Sequence, residues 1–161
     1  MWYILAATPA DAQLIHDLQM RAFAQEGRLC KTTEIPPLTE ALSSVDRDIR
    51  TQTVLTAREG DRIIASARGI FDGKACSIQR VGVEPTHHGL GIGTALLRAI
   101  EQAHPQAERF NLTTNTAVPG NVRFYERLGY LVVEFTKLSE TITLAQMSKP
   151  AGPDSTACHE L

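Results

Sequence analysis

The sequence has few cysteines, little net charge and no long apolar run, and each shortage excludes a class of protein. Its three cysteines, Cys30, Cys76 and Cys158, are odd in number and lack metal-site spacing, which indicates reduced thiols in an intracellular protein. The formal net charge of −2 does not indicate a nucleic-acid-binding surface. The longest apolar run, Met1–Ala7, is too short to cross a bilayer and lacks the basic leader of a signal peptide. We therefore expect a cytoplasmic protein that contacts neither nucleic acid nor membrane.

Length and composition predict one domain followed by a short tail. The chain has 161 residues, of which 43% are hydrophobic and 21% charged, as in ordinary soluble proteins with a real core. No internal repeat and no second domain is visible. From Ser148 onward the residues are small and polar and include prolines. We expect a domain over residues 1–147 and a flexible tail over residues 148–161.

Apolar periodicity and turn residues predict an alternation of strands and helices. The pattern predicts strands at about 2–6, 53–57, 62–71, 77–83, 110–114, 130–135 and 141–147, and helices at about 8–27, 38–45, 93–103 and 119–128. Tight turns at Gly60 and Gly73 join the second, third and fourth strands, which predicts an antiparallel meander. A helix connects the fourth and fifth strands, so these two strands should run parallel through a right-handed crossover.

The stretch from Ser77 to Ile100 reads as strand, glycine turn and helix. Gly89, Gly91 and Gly93 follow the strand at alternate positions, where they let the backbone turn tightly and approach a ligand closely. The first amides of the new helix have no partner inside the helix and carry partial positive charge. The turn is therefore suited to a phosphate-like anion.

Two common phosphate-binding loops do not fit this turn. A Walker loop requires a lysine before its Ser or Thr, but Thr94 follows Gly93 directly. A dinucleotide-binding turn requires a third glycine where Thr94 stands, and an acid at the end of a following strand that here ends in threonines. The turn therefore gives little support to a nucleotide-binding protein.

Two motifs, in the right order, resemble the GCN5-related N-acetyltransferase (GNAT) family. HGLGIG, from His88 to Gly93, is similar to the family's coenzyme A loop, although His88 stands where Arg or Gln is usual. FYERLGY, from Phe124 to Tyr130, is similar to the helix that follows the fifth strand in that family. The resemblance implies an α+β, three-layer fold: a mixed, mostly antiparallel sheet of six to seven strands with helices on both faces. It also implies transfer of an acetyl group from acetyl-CoA, without a metal, to a primary amine of a small molecule or protein.

The resemblance also implies roles for individual residues. Val81 and Val83 match strand positions whose backbone pairs with pantetheine, and the amide of Val83 would polarise the thioester carbonyl. Tyr125 matches the family's tyrosine, a candidate general acid for the leaving sulfur. His88 either adds a hydrogen bond or a charge to the cofactor or is only an exposed loop residue. The amides that would hold the pyrophosphate belong to Gly89, Leu90, Gly91, Ile92, Gly93 and Thr94.

Two parts of the family's usual site are missing or ambiguous. Val118 stands where many relatives have a cofactor-binding asparagine, and Asn121 or Asn115 either replaces it or is a helix cap or turn residue. No general base is evident in the fourth strand, since Gln79 and Arg80 are implausible bases. Glu84 lies just past that strand, where we expect a surface residue. A chain of water molecules is the expected proton path.

The sequence defines the residues that would meet the amine acceptor less well than those that would bind acetyl-CoA, and it leaves a non-catalytic function open. In the family, the segment joining the first two helices often borders the acceptor cleft. Glu26, Arg28 and Glu34 are therefore candidates to meet a substrate, or are solvated loop charges. The alternative to an enzyme is a module that senses acyl-CoA without turning it over. A homodimer is compatible with the sequence.

Overall fold

The chain forms seven strands and six α-helices in a computed structural model that describes residues 1–152. The strands are β1 (Tyr3–Ala6), β2 (Thr53–Glu59), β3 (Arg62–Phe71), β4 (Ala75–Val83), β5 (Arg109–Asn115), β6 (Leu131–Lys137) and β7 (Thr143–Pro150). The helices are α1 (Ala12–Ala22), α2 (Ala24–Cys30), α3 (Pro36–Thr39), α4 (Leu42–Thr51), α5 (Ile92–Ala103) and α6 (Asn121–Arg127).

The strands form one mixed sheet in the order β1-β2-β3-β4-β5-β7-β6. Within residues 1–152, β4 and β5 are the one parallel pair and the other neighbours are antiparallel, so the predicted meander and the parallel pairing of β4 with β5 are confirmed. The apolar side chains of α5 belong to one buried cluster, and those of α1 and α4 to another. The predicted α+β architecture, a mixed sheet between helical layers, is confirmed. No helix in residues 1–152 has the length and hydrophobicity needed to cross a membrane.

The helices before β2 differ from the prediction because Gly27 does not end a helix. The first helix breaks at Phe23, and α2 carries the chain through Gly27 to Cys30. A Cβ atom on Gly27 would lie 2.8 Å from Leu38 Cδ1, so this glycine allows close packing. Lys31 ends α2 in the left-handed conformation, with φ of 56°. The predicted helix at 38–45 is replaced by α3 and the longer α4.

The last strand extends beyond the predicted end of the domain. Ser148 and Pro150 pair with Asn111 and Arg109 of β5, which places residues 148–150 in the sheet. The last strand therefore ends three residues after its predicted end at residue 147. Residues 153–161, including Cys158, lie outside the described residues, so the flexible tail assigned to them stays a prediction.

The parallel strands β4 and β5 separate after a short paired segment. They pair only from Ala75 to Ser77, although β4 continues to Val83. Beyond this segment, Arg80 and Val81 of β4 together oppose the single residue Ala67 of β3, which is a β-bulge. Arg80 has φ of 54°, a conformation that a non-glycine residue seldom adopts outside such irregularities. The bulge bends β4 beside the gap that opens towards β5.

Candidate active site

A cavity of about 470 Å³ lies between the end of β4 and the segment that follows β5. Its walls come from the C-terminal end of α1, the first turn of α2, residues 81–83, the glycine turn, the start of α5, and residues 118–125. A volume of this size is typical of ligand-binding pockets. Gly82 allows α1 to approach β4 here, because a Cβ on it would lie 3.1 Å from both Ala22 and Phe23 side chains.

The glycine turn borders this cavity with backbone atoms. Gly89 and Gly91 both have φ of +79°, and Gly91 is the residue that caps the N-terminus of α5. A Cβ on either glycine would have no protein atom within 4 Å, so the space beside them is open. Gly93 lies in the first turn of α5, where an added Cβ would contact Phe124 and Val83. Leu90 does not line the cavity, and its side chain is 58% exposed.

The amides of this turn are unpaired. Within residues 1–152, none of the six backbone amides from Gly89 to Thr94 donates a hydrogen bond. Unpaired amides at a helix N-terminus form an anion-binding site. Among residues 1–152, no lysine or arginine lines the cavity, and the basic side chains on its wall are those of His87 and His88. An anion bound here would therefore be held mainly by the main chain.

The backbone of Val83 also faces the cavity. Val83 lies opposite Ala65, and the amide of Glu84 donates to the Ile64 carbonyl at 2.7 Å. Because hydrogen-bonded and non-hydrogen-bonded pairs alternate in antiparallel strands, the N–H and C=O of Val83 point away from β3. His88 Nε2 lies 3.1 Å from the Val83 oxygen, a bond that places a proton on Nε2. The amide of Val83 is left available to a ligand.

Tyr125 presents a hydroxyl to the same cavity. Its ring packs edge-on against Phe124 and Tyr130, with centroid distances of 5.0 and 6.2 Å. Within residues 1–152 its hydroxyl forms no hydrogen bond, and the residue lines the cavity. Burial, and then the negative charge of Glu26, raise the pKa of the Tyr125 phenol. The phenol is therefore protonated at neutral pH and can donate.

A comparison with protein families decides what kind of domain surrounds this cavity. The model of the acetyltransferase (GNAT) family matches residues 13–130, which is most of the chain. This chain belongs to the GNAT family. Members of this family take their acetyl group from acetyl-CoA. We found no significant match among the curated proteins.

Solved structures have the same fold as this GNAT chain at low sequence identity. YncA from Salmonella typhimurium, a putative acetyltransferase solved with acetyl-CoA, is 18% identical with a TM-score of 0.73 over 94% of this chain and 95% of its own. The ribosomal-protein-S18-alanine N-acetyltransferase from Escherichia coli is 14% identical, with a TM-score of 0.76 over 96% and 98%. PaiA N-acetyltransferase from Thermoplasma acidophilum, in complex with coenzyme A, is 12% identical, with a TM-score of 0.68 over 93% and 99%.

Both asparagines near the cavity of this GNAT chain bond to other side chains or to the backbone. Asn121 lines the cavity and donates to Thr114 Oγ1 at 3.2 Å, and Val118 beside it has no polar group. Asn115 Oδ1 accepts from the amide of Ala117 at 3.0 Å, as in a turn. Its Nδ2 donates to Glu26 Oε2 at 3.3 Å. Asn115 therefore connects the end of β5 to α2.

Of the three acceptor-side candidates, the structure brings only Glu26 to the cavity. Arg28 borders a separate open groove, and Glu34 is an exposed loop residue outside the cavity. Burial raises the pKa of the Glu26 carboxyl, and the Asn115 hydrogen bond and the charge of Arg80 partly offset that rise. Sequence reasoning could name Glu26 only through the family resemblance, because no local motif marks it.

Glu84 is not the surface residue that the sequence predicted. It is 5% exposed, and Arg21 Nη2 donates to its Oε2 at 2.8 Å. The Arg21 hydrogen bond is the main cause that lowers the pKa of the Glu84 carboxyl. Glu84 does not line the cavity, so it cannot serve as the base there. His104 is buried at the end of α5, also outside the cavity, with Nε2 3.1 Å from Thr53 Oγ1.

Within residues 1–152, no three His, Cys, Asp or Glu side chains come together in a group that could hold a metal ion.

Proposed function

We propose that this protein transfers the acetyl group of acetyl-CoA to a primary amine, with Tyr125 as the general acid. The observation that carries the proposal is that three kinds of unpaired donor border one cavity. They are the amides of Gly89 and of residues 91–94, the outward amide of Val83 and the hydroxyl of Tyr125. An anion site, a carbonyl-polarising donor and a proton donor are the groups that an acetyl-CoA thioester requires.

The groups that border the cavity are suited to bind acetyl-CoA as a substrate. Its diphosphate would lie against the amides of residues 89–94, where the absent side chains of Gly89 and Gly91 leave room. The outward backbone of β4 at Val81 and Val83 would pair with the amide groups of pantetheine. The side chains of His88 and Asn121 border the path but already have partners in Val83 and Thr114, so they add little to the binding of the diphosphate.

The chemistry follows from these positions. The neutral amine attacks the thioester carbon, and the amide of Val83 stabilises the negative oxygen that develops. Removal of one such donor costs on the order of 3 kcal/mol in other enzymes. The carbon–sulfur bond then breaks, and Tyr125 donates its proton to the departing thiolate. The raised pKa of Tyr125 keeps the phenol protonated at neutral pH, so its proton is available when negative charge develops on the sulfur.

Binding and turnover test the proposal separately. Acetyl-CoA at saturation should raise the melting temperature, and ATP or NAD at the same concentration should not. Tyr125→Phe should lower kcat about tenfold or more and leave the Kd for acetyl-CoA nearly unchanged. Tyr3→Phe is the matched control, because Tyr3 is exposed and donates to Gly60 far from the cavity.

Three results would contradict the proposal. An unchanged melting temperature with acetyl-CoA would exclude acetyl-CoA as the donor of the acetyl group. An unchanged kcat in Tyr125→Phe would exclude Tyr125 as the acid. Tight binding of acetyl-CoA with no transfer across a panel of amines would indicate the non-catalytic sensing module instead.

A further inference from the structure

Among the shielded carboxylates of residues 1–152, Glu26 differs from the others because no basic side chain pairs with it. Five carboxylates with side chains at most 16% exposed each have a basic side chain within 3.2 Å. They are Asp11 with Arg58, Glu40 and Asp48 with Arg68, Glu84 with Arg21, and Glu101 with Lys149. Glu26 is partly buried on the cavity wall, yet it forms no salt bridge within residues 1–152. A shielded carboxylate without a cation is costly unless a ligand supplies the charge.

One oxygen of this carboxylate is fixed, and the other is available. Asn115 Nδ2 donates to Oε2 of Glu26 at 3.3 Å and also lies 3.0 Å from Cys30 Sγ. The Asn115 amide is held in turn through its Oδ1, which accepts from Ala117. No donor in residues 1–152 reaches Oε1 of Glu26. The carboxylate is thus oriented by the protein and keeps an acceptor for a ligand.

The charged and titratable groups around Glu26 leave its charge unbalanced inside the cavity. From β4, Arg80 acts on it only through space, and the Arg80 Nε atom lies 3.6 Å from Glu40 instead. From α6, Tyr125 faces it as a neutral phenol, and on its own helix Cys30 is a buried thiol. In the described part of the chain, the cavity wall carries no lysine or arginine, and the rings of His87 and His88 bond to Glu59 and to the Val83 carbonyl. The cavity therefore favours a cation beside Glu26.

We propose that Glu26 binds the ammonium group of the acceptor and removes its proton, acting as the general base of the reaction. This inference rests on the proposed function and adds a substrate class to it. The acceptor is a primary amine that arrives protonated and carries an apolar group next to the nitrogen, because Ala22 and Phe23 form the adjoining wall. Glu26 replaces the water chain that the sequence predicted as the proton path.

The proton balance uses only groups that the site contains. The Glu26 carboxylate takes one proton from R–NH3+, which leaves R–NH2 and a neutral carboxyl. The nitrogen lone pair forms the bond to the acetyl carbon, and the carbon–sulfur electron pair leaves with the sulfur. Tyr125 protonates that sulfur and regains a proton from the acetylated nitrogen. Glu26 then releases its proton to solvent, so one proton is produced for each acetyl group transferred.

The test uses Glu26→Gln, with Glu34→Gln as the matched control in an exposed loop outside the cavity. The probes are 2-phenylethylamine, histamine, spermidine and a peptide with a free N-terminus, and the amine with the highest wild-type kcat/KM is followed. At neutral pH, Glu26→Gln should lower kcat/KM about a hundredfold and leave the Kd for acetyl-CoA unchanged. Glu34→Gln should change neither value.

The pH profile separates a base from a structural residue. Wild-type kcat/KM should be level between the pKa of Glu26 and that of the amine, because the carboxylate deprotonates the ammonium. In Glu26→Gln only the free amine reacts, so kcat/KM should rise about tenfold per pH unit over this range. Glu26→Asp should keep the level profile at reduced rate.

Equal loss at every pH, or a Glu26→Gln variant as active as Glu34→Gln, would overturn the assignment. A Glu26→Asp profile that rises like that of Glu26→Gln would also overturn it. A wild-type protein that binds acetyl-CoA but acetylates no amine in the panel would refute the proposed function itself, and this inference with it.

Discussion

Replacing Glu40 by glutamine should destabilise the attachment of α1, α3 and α4 to the sheet, and the loss should depend on pH. Arg68 on β3 is 1% exposed and donates to both oxygens of Glu40, at 2.7 and 2.9 Å. The same guanidinium donates to Asp48 of α4 at 2.9 Å and to Gln19 of α1 at 2.8 Å. Glu40 itself lies between α3 and α4, so this cluster attaches three helices to the sheet.

The size of the effect follows from the pKa of Glu40. Burial alone would raise this pKa, but hydrogen bonds from Arg68 and Gln19 and the charges of Arg68 and Arg80 outweigh burial and lower it from 4.5 to about 2. Its side chain is only 9% exposed, so solvent screens these interactions little. The difference between folded and unfolded chains corresponds to about 3 kcal/mol of stability. Because the folded pKa is depressed, this stability is present above about pH 4.5 and is lost as the pH falls towards 2.

Urea unfolding of the wild type and Glu40→Gln checks both the size and the pH dependence. The variant should lose about 3 kcal/mol at neutral pH, and the difference should shrink as the pH falls below 4.5. Asp46→Asn is the control on the same helical layer, since the Asp46–Arg50 pair is exposed and should contribute little. A loss that stays constant between neutral pH and about pH 3 would refute the electrostatic reasoning.

Substitutions at three glycines give further predictions. Gly91→Ala should cost about 1–2 kcal/mol of stability because of its positive φ, and should weaken acetyl-CoA binding because the new Cβ enters the cavity. Gly60→Ala, at φ of 60° in a distant hairpin, should cost a similar amount in urea unfolding but leave the Kd unchanged. Gly69→Ala should destabilise by about 1–3 kcal/mol in the same assay, because its Cβ would lie 2.8 Å from Ile100 and 2.9 Å from His104. Equal Kd values for Gly91→Ala and the wild type, or an unchanged stability of Gly69→Ala, would contradict these expectations.

The sheet could be predicted from the sequence because its signals are local. The meander is predicted by alternating apolar residues and the turns at Gly60 and Gly73. The parallel pairing of β4 and β5 is predicted by the strand, turn and helix pattern that leads into α5. The predicted end of the first helix was wrong because a glycine can either end a helix or allow a close packing contact, and Gly27 does the latter. The contact with Leu38 that decides between them lies eleven positions away in the sequence.

The donor half of the site was more predictable than the acceptor half for a related reason. The proposed anion site at the glycine turn uses main-chain amides, so the sequence indicates it through consecutive residues with a flexible backbone. The environments of Glu26 and Glu84 depend on distant partners, Asn115 in one case and Arg21 in the other. Sequence reasoning therefore left Glu26 among three candidates and placed Glu84 on the surface, where it does not lie.

Because the proposed acetyl-CoA site relies on main-chain amides, the presence of His88 in place of the family's usual Arg or Gln should not weaken it. The unpaired amides of residues 89–94 do not depend on the side chain at position 88, and the His88 ring bonds to Val83 on the strand instead. An Arg or Gln at that position would add a polar group to a site whose donors are already supplied by the main chain. The proposed acceptor site depends on fewer groups: within residues 1–152, Glu26 is the one carboxylate that lines the cavity, and the side-chain amide of Asn115 orients it. Changes around these two side chains should therefore alter acceptor choice without altering the use of acetyl-CoA.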